Sequence, residues 1–246
     1  MESLARGLQV IGAFEHARPS LTVSEVASLA NISRAAARRC LHTLSVLGYA
    51  RGEDGSYRLT PKALTLGYAY LSASPVARVA QPVIEEVSNQ LHESCSMTVL
   101  DGDEIVYVAR AATQRIISVG LSVGSRLPAY CTAMGRVLLA FSNSVEIDSY
   151  LQRVKLVPRT ARTIVEPAVM RRTLQKVRSD GFAVVDQELE LGLRSIAVPV
   201  RQADGRAAAA INVGAQAARV DLETMTGTFL PLLRSAAEKI AMAVAR

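Results

Sequence analysis

Residues 22–47, TVSEVASLANISRAAARRCLHTLSVL, carry the strongest structural signal in the chain. Thr22, with Glu25 three residues later, forms a capping box that predicts the start of a short helix. Asn31 tolerates the left-handed conformation of a tight turn, and Ser33 is then placed to cap a second helix. The stretch therefore predicts two helices joined by a tight turn.

The second of these helices, residues 34–47, has an apolar side and a basic side. The apolar side is predicted to be buried and comprises Ala37, Cys40, Leu41 and Leu44. No acidic residue occurs between Glu25 and Glu53, whereas a solvated helix usually mixes charges of both signs. In a helix-turn-helix the second helix enters the major groove. The predicted DNA contacts there are Thr22, Ser33, Arg34, Ala35, Arg38, Arg39, His42 and Thr43.

The flanking segments complete a winged helix-turn-helix. Leu4, Leu8 and Ile11 recur at helical spacing and predict a first helix, with Ser3 as a possible cap, and Asp54-Gly55 between two β-prone runs predicts a hairpin. Thr60 is predicted to cap a helix that opens at Pro61. The hairpin residues Arg51, Ser56 and Arg58 are predicted to contact phosphate or the minor groove. The alternative is a small helical bundle whose basic side is merely solvated.

Composition excludes several classes of protein. The 246 residues carry a net charge of +6, half are hydrophobic, and the longest uncharged stretch is too short to span a membrane. The first residues lack the pattern of a signal peptide. The cysteines, Cys40, Cys95 and Cys131, form no CxxC pair. We therefore expect a reduced, cytoplasmic protein with no membrane partner, no metal and no cofactor.

The remainder of the chain mixes helices and strands. Turn-forming residues 72–75 mark a boundary, which predicts a DNA-binding domain at 1–72, a linker helix at 73–92 and a second domain at 93–246. Predicted helices are 76–92, 132–140, 167–180 with Gly181 as its stop, and one from Leu222 that breaks near Pro231. Predicted strands are 97–100, 105–108, 116–119, 182–186, 195–200 and 207–213. This pattern predicts an α+β domain with an antiparallel sheet.

The second domain lacks the residues of common catalytic sites. The three histidines are His16, His42 and His92, so a Ser-His-Asp triad, a Cys-His site or a His-ligated metal cannot form within residues 93–246. Asp186 and Glu188 would share one face of a strand. An enzyme that uses this carboxylate pair is therefore the alternative to a binding domain.

Two segments are predicted to form pocket walls. In residues 124–136 a loop enters a helix, and the free amides at the helix start favour an anion. Arg126 is the predicted partner of a ligand carboxylate, with an internal salt bridge as the alternative. The small residues Ala133 and Gly135 would let a ligand approach, whereas Tyr130 and Met134 belong either to the pocket or to the core. The second segment runs from the acidic residues at 186–190 into an apolar strand.

A second cluster of basic residues has no orienting signal. It contains Arg153, Lys155, Arg159, Arg162, Arg171, Arg172, Lys176 and Arg178. We interpret this cluster as a solvated face or an interface. Contact with DNA phosphates is the alternative.

Five segments resemble the IclR family of transcriptional regulators. These are Ser3–Leu8, Gly124–Pro128, Thr132–Gly135, Asp186-x-Glu188 and Gly192–Ala197. The resemblance implies a winged helix domain, a linker helix and a PAS/GAF-like α+β effector domain. It also implies dimers, often paired into tetramers on operator DNA.

The same resemblance implies an effector pocket. Its residues would be Thr132, Ala133 and Met134 at the helix start, Asp186 and Glu188 in the acidic loop, and Ser195, Asn212 and Gly214 on later strands, alongside Arg126 and Tyr130. Residues 34–39 and 66–72 further resemble the PcaR, PcaU and PobR subgroup, which implies an aromatic acid or β-ketoadipate as effector. The predicted function is a ligand-responsive regulator of aromatic-acid catabolism that binds double-stranded DNA. A further alternative is a ligand-binding module that uses its winged helix for protein contacts.

Overall fold

The computed structural model describes residues 2–15, 18, 20–113 and 120–244. The chain divides into two compact units, Met1–Ala73 and Ser74–Arg246. The strand predicted at residues 116–119 lies outside the described residues. Within the described ranges, every helix falls short of the length and apolar content needed to cross a bilayer.

The N-terminal unit combines helices with a small antiparallel sheet. Its helices are α1 (Glu2–Gly12), α2 (Val23–Leu29), α3 (Arg34–Val46) and α4 (Leu64–Ala73), with short 3₁₀ turns at Ala13–Glu15 and Pro61–Ala63. Its strands are β1 (Leu21–Thr22), β2 (Ala50–Glu53) and β3 (Ser56–Leu59), arranged in the order β1-β3-β2. This is the predicted helix-turn-helix followed by a hairpin.

The local signals in this unit act as predicted. The Thr22 hydroxyl accepts a hydrogen bond from the Glu25 amide at 3.3 Å, while the Glu25 carboxylate accepts one from the Thr22 amide at 2.8 Å. Asn31 adopts a φ of +50°, and the Ser33 hydroxyl accepts a hydrogen bond from Ala36 at 3.2 Å to cap α3. The hairpin turns at Asp54-Gly55, where both φ values are positive, as this two-residue turn requires.

The predictions for Cys40 and Thr60 are wrong, and the apolar residues of α1 are not all buried. Leu4 and Leu8 are 61% and 58% exposed, because α1 turns Val10 rather than these leucines into the core. Cys40 is only half-buried, and Ala36 is buried on α3 in addition to the other predicted positions. Thr60 precedes the 3₁₀ turn but does not cap it, because its hydroxyl donates to the Gly48 carbonyl instead.

The C-terminal unit is built on a six-stranded antiparallel sheet in the order β6-β5-β4-β9-β8-β7. The strands are β4 (Ser94–Asp101), β5 (Glu104–Ala111), β6 (Arg126–Pro128), β7 (Ala183–Asp186), β8 (Leu193–Arg201) and β9 (Ala207–Gln216). The helices are α5 (Pro75–Leu91), α6 (Ala133–Ala140), α7 (Ser144–Arg153), α8 (Pro167–Asp180), α9 (Leu222–Thr224) and α10 (Leu230–Val244). The predicted α+β class is confirmed.

Helices cover both faces of this sheet. Ala197 and Ala210 are buried in one core cluster with the residues of α6, and α8 packs against α6. The neighbouring residues Ile196 and Ile211 are also fully buried and point to the other face, where α5 and α10 pack against the sheet and each other. Polar residues that project from the sheet toward α6 therefore lie inside the C-terminal unit.

Most predicted elements of this unit are present; β4, β5, β8 and β9 are longer than predicted, and β7 begins one residue later than predicted. Gly181 ends α8 with a φ of +77°, as predicted. The break predicted near Pro231 is a π-helical turn, Met225–Phe229, that precedes α10. The loop predicted at 124–136 contains the short strand β6, and α7 was not predicted.

Candidate functional sites

The exposed face of α3 is a basic surface. Arg34, Arg38 and His42 follow one another at four-residue intervals and are all exposed. Arg39 is exposed as well, and within the described residues none of the three arginines on α3 has a carboxylate in ion-pair distance. Three cations on one helix without internal partners are available to an external anion.

The other predicted DNA contacts differ in whether their side chains already have a hydrogen-bond partner within the protein. Ala35 and Arg51 are exposed, and the Thr43 hydroxyl donates to the Arg39 carbonyl at 3.0 Å. Ser56 donates to the Glu53 carbonyl at 3.0 Å, and Arg58 pairs with the Glu53 carboxylate at 2.8 Å. Thr22 and Ser33 cap helices, as described above. Ser56, Arg58 and the two capping residues therefore have structural partners. Among the described residues, Arg51 and the arginines of α3 have none.

The C-terminal unit contains a cavity between the sheet and the start of α6. It holds about 620 Å³ of empty space, including its open mouth. The lining residues are Ser94, Ser96, Tyr107, Arg110, Leu121, Leu127, Cys131, Thr132, Ala133, Met134, Val185, Leu189, Leu193, Ser195, Asn212 and Gly214. The cavity is thus mainly apolar, with a few polar groups on the sheet.

Six of the predicted effector residues meet at this cavity: Thr132, Ala133, Met134, Ser195, Asn212 and Gly214. Thr132 caps α6, since its hydroxyl accepts a hydrogen bond from the Gly135 amide at 3.2 Å. The first intrahelical bond runs from the Arg136 amide to the Thr132 carbonyl. The amides of Ala133 and Met134 precede it and have no partner within the helix.

Arg126 lies outside the lining of the cavity. It is exposed, and its guanidinium pairs with both Asp101 and Glu104 at 2.8 Å. The Glu104 carboxylate, which accepts its principal hydrogen bond, raises the pKa of Arg126. The internal salt bridge, weighed as the alternative for this residue, is what the structure contains.

Glu188 is occupied by a buried ion pair. Both of its carboxylate oxygens accept hydrogen bonds from Arg136, whose side chain is 3% exposed. Arg136 also donates to the Tyr130 carbonyl at 2.8 Å. Tyr130 itself is buried in the core, and its hydroxyl donates to the Val157 carbonyl at 2.7 Å. The structure therefore gives Glu188 and Tyr130 packing roles beside the cavity rather than positions in its lining.

Asp186 and Glu188 do not form a paired carboxylate site. Gln187 adopts a φ of +61°, which ends the strand alternation between the two acids. Asp186 instead accepts hydrogen bonds from Arg194 and Arg162, and the bond from Arg194 lowers the pKa of this carboxyl group. Each acid is thus neutralised by different arginines, which removes the geometry on which the enzyme alternative depended.

Gly135 serves internal packing rather than approach of a ligand. A Cβ atom at this position would lie 2.2 Å from the Ala129 carbonyl oxygen. Only glycine allows the loop backbone to pack this closely on α6. Cys131 beside it is buried, and burial raises the pKa of its thiol to about 11. Cys131 therefore packs as a small apolar residue.

Sequence reasoning missed the polar residues on β4 and β5. Ser94, Ser96, Tyr107 and Arg110 all line the cavity. The Arg110 guanidinium donates to the Ser96 hydroxyl at 3.0 Å. The available signal was an arginine within the apolar run of residues 104–111, opposite a strand that alternates serine with larger residues. The first predicted strand began at residue 97, after both serines, and the second ended at residue 108, before Arg110. Tyr107 lay within the second predicted strand but was not assigned to the site.

Most of the cluster of basic residues at 153–178 is paired internally. Its ion pairs are Arg153 with Asp103, Arg162 with Asp186, Arg171 with Asp148 and Lys176 with Asp180. Arg178 donates to the carbonyls of Ala140 and Ser142. Lys155, Arg159 and Arg172 are exposed, and among the described residues their side chains make neither an ion pair nor a hydrogen bond. The pairing agrees with the interpretation as a solvated face.

Similar proteins share this architecture. A Pca regulon regulatory protein from Pseudomonas putida is 51% identical over 241 residues, which cover 98% of this chain and 83% of that protein. The p-hydroxybenzoate hydroxylase transcriptional activator of Acinetobacter baylyi is 37% identical, covering 96% of this chain and 89% of that protein. The crystal structure of an IclR homologue from Microbacterium hydrocarbonoxydans, complexed with 4-hydroxybenzoate, is 26% identical with a TM-score of 0.85, covering 99% of each chain.

Two family models divide the chain between them. The model described as "IclR helix-turn-helix domain" matches residues 3–54, which include the capped turn and all of α3. The model described as "Bacterial transcriptional regulator IclR C-terminal" matches residues 68–242, which include the cavity. The chain therefore belongs to the IclR family of bacterial transcriptional regulators.

Proposed function

We propose that this protein regulates genes of aromatic-acid catabolism and that a small organic acid in the C-terminal cavity controls its binding to DNA. The observation that carries the proposal is the cavity itself, which is lined both by polar groups of the sheet and by Ala133 and Met134 at the start of α6. The relatives named for the Pca regulon and for p-hydroxybenzoate hydroxylase support the pathway. The homologue complexed with 4-hydroxybenzoate supports the class of effector.

In this proposal a homodimer places two α3 helices on two DNA half-sites about one helical turn apart. An apolar groove between α1 and α3, which includes the exposed Leu4, Leu8 and Leu47, supports self-association of the N-terminal unit. Such a groove is costly to leave in water. Pairing of dimers into tetramers is the further expectation that the family resemblance supplies.

The proposal assigns a sensing role to the C-terminal unit rather than a catalytic one. The carboxylates proposed for the enzyme alternative, Asp186 and Glu188, are held separately by arginines. A sensor returns its ligand unchanged, so prolonged incubation of the acid with the protein is a direct discriminator. Recovery of a modified acid would favour the enzyme.

Thermal unfolding with a panel of acids tests the effector class. The panel contains 4-hydroxybenzoate, protocatechuate and β-ketoadipate, with the neutral amide of each acid as its control. A ligand that binds only the native state at a hundredfold excess over its Kd stabilises it by about 2.7 kcal/mol. For a chain of this size we expect the best acid to raise Tm by about 5–10 °C. The absence of a shift with every acid would contradict the proposed effector class.

A further inference from the structure

We propose that Arg110 is the residue that binds the carboxylate of the effector. This inference rests on the proposed function, because it presumes that the ligand of the cavity is an organic acid. It replaces Arg126, which the sequence favoured and which lies outside the cavity lining with two carboxylates of its own.

The sheet places Arg110 in a polar row on the floor of the cavity. Arg110 on β5 is the direct partner of Ser96 on β4, and Ser96 is the direct partner of Asn212 on β9. Neighbouring strands lie ~4.8 Å apart, and directly paired residues project to the same face. All three residues line the cavity. A ligand lying across these strands therefore meets Arg110 at one end and Asn212 at the other.

Among the described residues, the Arg110 guanidinium has no anionic partner within ion-pair distance. Its side chain is half-buried, one terminal nitrogen donates to Ser96, and its Nε is buried without a hydrogen-bond partner among the described residues. None of the described residues that line the cavity carries a carboxylate. By contrast, Arg136 and Arg194 in the same unit are paired with Glu188 and Asp186. Among the described residues, Arg110 thus combines an uncompensated charge with an unused donor at the wall of the cavity.

A carboxylate is the chemical group that fits this arrangement. Burying a guanidinium without a counter-charge is unfavourable, and burying a donor without an acceptor adds to the cost. A carboxylate offsets both, because its two oxygens accept hydrogen bonds from the planar guanidinium fork. The Tyr107 ring, whose centroid lies 6.0 Å from the Arg110 guanidinium carbon, limits the orientations of that fork.

The opposite end of the row has a second unused polar atom. Asn212 is 8% exposed, and its amide nitrogen donates to the Ser195 hydroxyl at 2.9 Å. Its Oδ1 is buried without a partner among the described residues. An acid with a further polar group at its far end would therefore be bound at both ends, with Arg110 setting its direction.

The test compares Arg110→Met with wild type in the full-length protein, using Arg126→Met as the matched control. Affinities are measured by titration calorimetry for 4-hydroxybenzoate and 4-hydroxybenzamide, and for β-ketoadipate and its diamide. We expect Arg110→Met to lower the affinity for the acid by about 10- to 100-fold, which is the effect of losing a charge-assisted hydrogen bond. Its affinity for the amide should stay within about threefold of wild type. Arg126→Met should bind both ligands as wild type does.

The comparison between acid and amide separates binding of the carboxylate from a structural role. If Arg110 only braces Ser96 and Tyr107, its removal should weaken both ligands equally, and that result would overturn the inference. If Arg110→Met binds an acid as tightly as wild type does, that result would overturn the inference as well. If no acid binds wild type, the proposed effector class fails and the inference fails with it.

A conservative variant keeps the test valid if Arg110→Met does not fold. Arg110→Lys preserves the charge but lacks the planar fork. We then expect Arg110→Lys to bind the acid several-fold more weakly than wild type does and to bind the amide equally well. Equal affinities of Arg110→Lys and wild type for an acid would contradict bidentate binding by Arg110.

Discussion

Replacing Arg34, Arg38 and Arg39 together by alanine is expected to weaken DNA binding by roughly a thousandfold or more. Each contact between an arginine and a guanine contributes ~1–3 kcal/mol of discrimination, and contacts with phosphate add a salt-dependent term. These side chains are exposed on α3 without carboxylate partners among the described residues, so no internal ion pair competes with DNA. The measurement is a binding isotherm on a duplex selected by wild type from a random pool.

A variant with the same charge change provides the control. Lys155→Ala/Arg159→Ala/Arg172→Ala also removes three exposed cations that are unpaired among the described residues, but from the C-terminal unit. We expect this variant to retain the wild-type affinity within a few-fold at 150 mM salt. An equal loss in both triple variants would show that net charge, rather than α3, dominates binding. It would also support phosphate contacts from the cluster of basic residues at 153–178.

Glu188→Gln is expected to destabilise the C-terminal unit by about 3–5 kcal/mol, because it leaves the Arg136 guanidinium buried without its counter-charge. Both partners are almost fully buried, and Glu188 also accepts a hydrogen bond from the Ile164 amide at 3.1 Å. The measurement is urea denaturation of the full-length protein without ligand. Asp148→Asn, which breaks the exposed pair with Arg171, should cost less than about 1 kcal/mol.

The double variant Arg136→Met/Glu188→Leu completes this experiment. Replacing a buried ion pair by apolar groups of similar volume is often neutral, whereas breaking it from one side is not. We therefore expect the double variant to be more stable than Glu188→Gln. If Glu188→Gln unfolds at the same urea concentration as wild type, Glu188 has no packing role, and its predicted place in the effector site would regain support.

Most of the N-terminal unit could be predicted because its capping and turn signals act between residues that are close in sequence. The Thr22–Glu25 capping box, the turn at Asn31 and the Asp54-Gly55 hairpin each depend on residues within four positions of one another. The exposure of Leu4 and Leu8 on α1 has a different cause. Periodicity identifies an apolar face, but the packing of α1 on its neighbours determines that Val10 rather than Leu4 is buried.

The effector site was only partly predictable, because it depends on pairing between distant residues. Sequence cannot show that Arg126 reaches Glu104 or that Arg136 reaches Glu188, 52 positions away. Both pairs follow from the strand order and the packing of α6. The omission of α7 was avoidable. Asn143 and Glu146 form a capping box that marks the start of α7, as Thr22 and Glu25 mark the start of α2.

The most direct test of the account is the effect of the bound acid on affinity for DNA. Full-length protein is titrated with its selected duplex, with and without a saturating concentration of the acid that gives the largest thermal shift. The account predicts a change of about 5- to 150-fold in DNA affinity, and saturating DNA must change the affinity for the acid by the same factor. Equal DNA affinity with and without the acid would contradict the claim that the cavity controls the binding of α3 to DNA.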